Sequence, residues 1–240
     1  MKQRKVVVGK RNYVEKIEAD VFGYTQVNTI PIIEEALFNR NAFSIHHLQG
    51  ALRDRFSFLM TFCGILRGES LFICELSDLF DVEYETPDNE NIHALIMKIA
   101  IGKTNRPKTL YGRVIRHKNP FYCPIGALGF YLLSRFHLAD ETLDFSSNRT
   151  WFDNELLVES GSKNSVDGIK DRTFRKAMKE VFKKNGTQQS NSGIPSKHFV
   201  HFGRVMGAIV AELAGGQSLE IKGLGNWNPD NTPASCPLIF

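Results

Sequence analysis

The apolar residues Leu48, Leu52, Phe56, Leu59, Cys63 and Leu66 recur at intervals of four, four, three, four and three. That spacing lines one face of a helix and cannot line a strand, so the segment predicts a long core helix against which the rest of the chain must pack. Glycine offers a stop at Arg67-Gly68, and residues 69–79 resume as a second, shorter apolar helix. Arg67 is therefore expected to project from a helix junction.

The elements on either side are shorter. Residues 30–39 have a helical pattern, and residues 1–44 form an arm and first helix ahead of a unit spanning 45–240. Residues 81–86 read as a short acidic strand. The apolar run 93–101, a turn through Gly102-Lys103-Thr104-Asn105-Arg106-Pro107-Lys108, and residues 109–117 read as a hairpin. Pro124, well placed in a first turn, opens a core helix to about Leu138 whose buried face includes Leu128, Tyr131, Leu132, Arg135 and Phe136. Residues 139–168 are polar and read as a loop with one short strand. Residues 171–184 are helical, burying Phe174, Met178 and Val181. The fold class expected is mainly α with a small antiparallel β-sheet or hairpin.

Near the carboxyl end Phe199, Phe202, Met206, Ile209 and Leu213 recur at three and four, giving a helix with one buried stripe and Ser196 as its N-cap. At 100° per residue Lys197, His201 and Arg204 fall on the side away from that stripe. Backbone N–H groups and the helix dipole favour an anion there, which makes a phosphate seat; three solvated cations are the plainer alternative. Gly215-Gly216 stops this helix, residues 217–222 allow a short one, and Gly223-Leu224-Gly225-Asn226-Trp227 reads as a tight turn presenting an indole.

Charge is segregated although the balance is only mildly basic, 30 Lys and Arg against 26 Asp and Glu. Residues 75–90 carry seven acids and no base, while 103–118 carry six bases and no acid. Lys103, Arg106, Lys108, Arg113 and Arg116 suit a phosphate backbone, and equally suit a sheet edge guarded against aggregation. A second stripe, Arg172, Arg175, Lys176 and Lys179, belongs to a segment, 170–184, with seven bases against two acids. The four cysteines form no C-x-x-C pair, so neither a disulfide framework nor a metal site is expected, and no cofactor. No apolar run nears the ~20 residues of a membrane span. No signal peptide is evident, and the chain reads as intracellular.

The order of parts resembles a known family. Leu66-Arg67-Gly68-Glu69-Ser70, a hairpin with Gly102-Lys103, then His201-Phe202-Gly203-Arg204 and Leu224-Gly225-Asn226-Trp227 resemble the catalytic domain of tyrosine recombinases. Those enzymes use an arginine, a hairpin lysine, an H-x-x-R pair and an L-G-H/W box. Arg116-His117-Lys118-Asn119-Pro120 and Cys123-Pro124-Ile125-Gly126-Ala127-Leu128 look like the crypton-type branch. They look equally like the second domain of the DNA-binding subunit of the point-centromere kinetochore complex.

The resemblance implies a recombinase-like fold over about residues 45–236 and a pocket made from Arg67, Lys103 (or Lys108), His201, Arg204 and Trp227. Two arginines and a lysine there neutralise a phosphate while the histidine and the indole orient it. The nucleophilic tyrosine is missing from its place: the expected position falls on Ser235 or Cys236, and no tyrosine follows Tyr131. Cys236 has no identifiable activating base. The resemblance thus implies a catalytically inactive, nuclear, centromere-associated protein that binds double-stranded DNA, with kinetochore or chromatin proteins as partners and a homo-oligomer open. The alternatives are a crypton-type enzyme using a nucleophile absent from this chain, and a protein-interaction module docking through residues 75–90.

Overall fold

The computed structural model describes residues 45–85, 91–99, 109–139, 141–160, 168–184 and 199–227; the arm 1–44, the hairpin loop and the segment before Phe199 lie outside the described residues. Helix α1, Ile45–Cys63, is the centre of the molecule. From Gln49 to Thr61 it is buried all round, so its polar residues need partners inside the protein. Arg53 donates to Asp54, to the Val158 carbonyl at 3.0 Å and to Ser160. Arg55 donates to the carbonyls of Pro120 and Phe121. These arginines therefore fasten two later loops onto the core helix.

The helix ends before its apolar period does. Gly64 follows Cys63, and Ile65 takes a φ of 50°, a conformation that costs a β-branched residue about 1–3 kcal/mol. Leu66 is buried, yet from a loop, where it keeps the helical spacing by coincidence of depth. The second helix is also shorter than expected: α2 is only Gly68–Phe72. Beyond it the backbone is taken by another partner, since Leu156 donates to the Cys74 carbonyl and Leu76 donates to the Asn154 carbonyl.

The acidic strand is β1, Leu79–Glu85, and it joins the hairpin as β2, Asn91–Ile99, and β3, Leu110–Ile115, in an antiparallel sheet of order β1-β2-β3. Leu95, Met97, Ile99 and Val114 alternate inward and join the core. Helix α3, Pro124–Leu133, starts on Cys123 as N-cap, with Sγ accepting from Gly126, and passes into a π-helical turn at Ser134–Leu138. That turn leaves Arg135 wholly buried. Glu141 binds it in a bidentate pair, and it donates to the Glu155 and Leu156 carbonyls, pinning the following loop. The loop holds a short helix, α4, Asn148–Trp151, and two isolated bridges, where a single strand was expected.

Helices α5, Asp171–Lys184, α6, Phe199–Leu213, and α7, Ser218–Leu224, complete the described chain. Phe174 and Met178 are buried as predicted. Helix α6 lies on α1, with α5 and α7 against it in turn. Its apolar stripe is shorter than the sequence suggests: Phe202 and Met206 are buried, but Leu213 is 65% exposed, one turn beyond the end of its cover. Among the described residues no helix is long and apolar enough to cross a membrane.

Candidate nucleic-acid interface

Close contact between α6 and α1 builds the site. A Cβ on Gly203 would stand 2.2 Å from Thr61 Oγ1, and one on Gly207 would stand 1.9 Å from the Phe62 carbonyl oxygen. Glycine at both positions, four apart on one face, lets the two backbones touch. Phe58 and Phe202 stack beside them with ring centroids 6.4 Å apart.

This docking decides where Arg204 goes. Sequence spacing places it on a solvent face, whereas in the structure it is 7% exposed. The reason is that α6 is covered twice, by α1 on one side and by α7 with its following turn on the other. Arg204 Nη2 donates to the Gly225 carbonyl at 2.7 Å, and its guanidinium carbon lies 4.4 Å from the centre of the Trp227 ring. The indole also needs room. A Cβ on Gly225 would lie 2.6 Å from Trp227 Cε3, and Asn226 adopts φ 51° to fold the tryptophan back. In Gly225-Asn226-Trp227 the glycine thus leaves space, the asparagine reverses the chain and the tryptophan stacks.

Two other boxes meet the same turn. Asn226 Nδ2 donates to the Tyr111 carbonyl of β3 at 3.3 Å. Leu66 packs on Gly112 of the same strand, where a Cβ would be 2.5 Å from Leu66 Cδ2. Ile65 joins Ala208 and Ile221 in a small cluster on which Leu224 and Trp227 pack. The linker leading into Arg67, strand β3 and the Arg204–Trp227 pair are therefore fastened together. Arg67 itself is half-buried as the N-cap of α2, its carbonyl accepting from Ser70 and Leu71. His201, half-buried, is one turn before Arg204 on the same helix face. The site can hold a guanidinium in a fixed pose against an aromatic ring, an arrangement suited to a phosphate or another planar or tetrahedral oxyanion.

The remaining cations are spread more widely. Arg113 is exposed on β3, and Arg116 is exposed just beyond it. Arg172, Lys176 and Lys179 are exposed along α5, while Arg175 is half-buried and paired with Asp171 one turn earlier. Lys103, Arg106, Lys108 and Lys197 lie outside the described residues, as do Ser196, Ser235 and Cys236. Among the described residues no three His, Cys, Asp or Glu are grouped to hold a metal ion. Helical periodicity and turn composition do not reveal the close-packing glycines of α6 or the reversal at Asn226. The Gly-x-x-x-Gly spacing at 203 and 207 was the available signal for the first, and Gly-Asn before an aromatic residue for the second.

Comparison with families of known proteins places residues 11–236 in "Centromere DNA-binding protein complex CBF3 subunit, domain 2". The chain belongs to that family. No curated protein matches it in sequence. Among solved structures it is similar to the Flpe–Holliday junction complex, with TM-score 0.55 and 15% identity over 93% of this chain and 50% of that one. It is also similar to an FLP recombinase–Holliday junction complex, with TM-score 0.54 and 16% identity over 97% and 51%. A tryptophan-to-phenylalanine variant of Flpe in a Holliday junction complex gives TM-score 0.56 and 15% identity over 95% and 51%. At these identities the likeness is one of fold, and the chain spans about half the length of the recombinases it matches. The expected fold is therefore the observed one: mostly helical with a small antiparallel sheet, of the tyrosine recombinase type.

Proposed function

We propose that this chain holds double-stranded DNA through its phosphate backbone and does not cut it. The observation that carries the reading is Arg204, buried between the Gly225 carbonyl and the Trp227 indole where β3 and the Arg67 linker also meet. In this reading Arg67, Lys103, His201, Arg204 and Trp227 seat one phosphate. Arg106, Lys108, Arg113 and Arg116 beside the hairpin, Arg172, Arg175, Lys176 and Lys179 on α5, and Lys197 contact phosphates on either side. Residues 45–240 act as the DNA-holding unit and 1–44 as an arm. Membership of a centromere DNA-binding complex family supports a nuclear, centromere-associated role with kinetochore or chromatin proteins as partners.

Chemistry separates holding from cutting. Cationic groups stabilise charge on a phosphate, but cleavage also needs an attacking group, and none of the six tyrosines lies after Tyr131. A duplex with a nicked suicide site is the test: retention without a covalent adduct is expected, with or without divalent metal, and a trapped adduct overturns the reading. The contact of Arg204 with Trp227 and the Gly225 carbonyl also suits one second reading, a crypton-type enzyme completed by a nucleophile from another protomer or segment. An adduct formed by this chain, abolished by Cys236→Ala or dependent on a second polypeptide, decides for it.

A further inference from the structure

Apolar side chains are exposed on the outward face of the sheet, on which Arg113 also lies. Phe80, Tyr84, Tyr111 and Ile115 are 43%, 48%, 52% and 58% exposed there. Phe80 and Tyr111 meet edge to face at 6.2 Å. Exposed apolar side chains grouped on one face mark an interaction surface. Strand β1 bounds it, and among the described residues nothing pairs with its outer edge. The strand alternates strictly: Phe80, Val82 and Tyr84 point outward with the patch, and Asp81, Glu83 and Glu85 point to the other face. His93 Nδ1 bonds Asp81 at 2.7 Å, while Glu83 and Glu85 remain exposed.

We infer that β1 is a docking edge for an extended protein segment that alternates apolar and basic residues and adds as a fourth strand. Added there, its apolar side chains cover Phe80, Val82 and Tyr84 while its lysines or arginines face Glu83 and Glu85. Charge selects this occupant over two others. Antiparallel pairing with a second copy sets carboxylates against carboxylates, and a DNA backbone is repelled by the same acids. Arg113 on β3 shares the outward face with the patch, but the β1 edge stands apart from the DNA reading, since Glu83 and Glu85 belong to neither the pocket nor the basic tracks.

The probe is a fluorescent decapeptide alternating Lys and Val, titrated into the full chain by anisotropy, with hydrogen exchange followed in parallel. Binding is expected to protect β1 amides and leave α5 unprotected. Glu83→Lys/Glu85→Lys, both surface changes, should weaken peptide binding at least tenfold while the thermal melt stays near that of the parent and DNA retention is not reduced. Equal binding of a Glu–Val decapeptide, binding without β1 protection, or an unaffected double variant overturns the inference. So does β1 protection without peptide that grows with protein concentration or vanishes on deleting residues 1–11, since a second copy or that segment, with Lys2, Arg4, Lys5, Lys10 and Arg11, is then the occupant.

Discussion

Arg204 serves both the fold and the proposed contact with phosphate, and substitutions separate the two. Arg204→Ala leaves the Gly225 carbonyl without its 2.7 Å donor and the indole without its cation, a cost of about 1–3 kcal/mol for a buried acceptor. In the DNA reading it also removes one phosphate contact, lowering the slope of log affinity against log salt by about 0.9. Arg204→Lys keeps the charge but not the planar fork, so the slope should stay near the parent's while the melting temperature falls. Salt-series binding and thermal melts together check both.

Glu155 offers a pH test. Burial, then the carboxylates of Glu75 and Asp78, hold its pKa above the ordinary range, and Oε2 is buried without a hydrogen-bond partner. Burial, then Asp78 and Asp153, does the same for Glu75, with Lys98 opposing. A raised carboxyl pKa means that the folded chain binds more protons than the unfolded one, so stability falls as pH rises through those values. Glu155→Gln should therefore melt higher than the parent at pH 7, and the two should converge toward pH 4. The recombinase-like order of parts was legible in the sequence, and the spacing singled out Arg204 as a candidate. Its burial was not, because helical spacing describes one helix and knows nothing of a second cover supplied by Gly225 and Trp227.

Between elements, the contact of α6 with α1 depends on two glycines that fail differently. The atom closest to a Cβ on Gly207 is the Phe62 carbonyl oxygen, which cannot move without the helix. Gly207→Ala should cost about 1–3 kcal/mol by overpacking, read as a lower urea midpoint. For Gly203 the nearest atom is the Thr61 hydroxyl, so Gly203→Ala should be relieved in large part by Thr61→Ala. Equal behaviour of the two positions would show that the helices are not in this register. The longer described helices were well marked in the sequence by period, proline and glycine, whereas the short α4, Asn148–Trp151, fell in a stretch read as loop. The ends were less so: α1 stops at Cys63 because Ile65 is drawn to Ala208 and Ile221, and α2 stops at Phe72 because residues 154 and 156 claim the backbone beyond it. Those are long-range contacts, invisible to a local pattern.

At the scale of the whole molecule, the segregated charge matters more than the modest total. The acids of β1 belong to neither the Arg204 pocket nor the basic tracks, and bases are collected in the hairpin and α5, with Lys197 just ahead of α6 in the sequence. Replacing Lys103, Arg106 and Lys108 together by Ala should flatten the salt slope by roughly two to three units with little change in thermal midpoint. A triple variant that binds like the parent would make the hairpin a guarded sheet edge and leave DNA holding to the helices.

Binding through phosphates carries no base sequence, so the central claim has a direct measurement: equilibrium binding of the chain to two duplexes of unrelated sequence across a salt series. The account predicts similar affinities for both, falling along parallel lines as log salt rises. Absence of binding at low salt, or strong preference for one duplex persisting across the series, would contradict it.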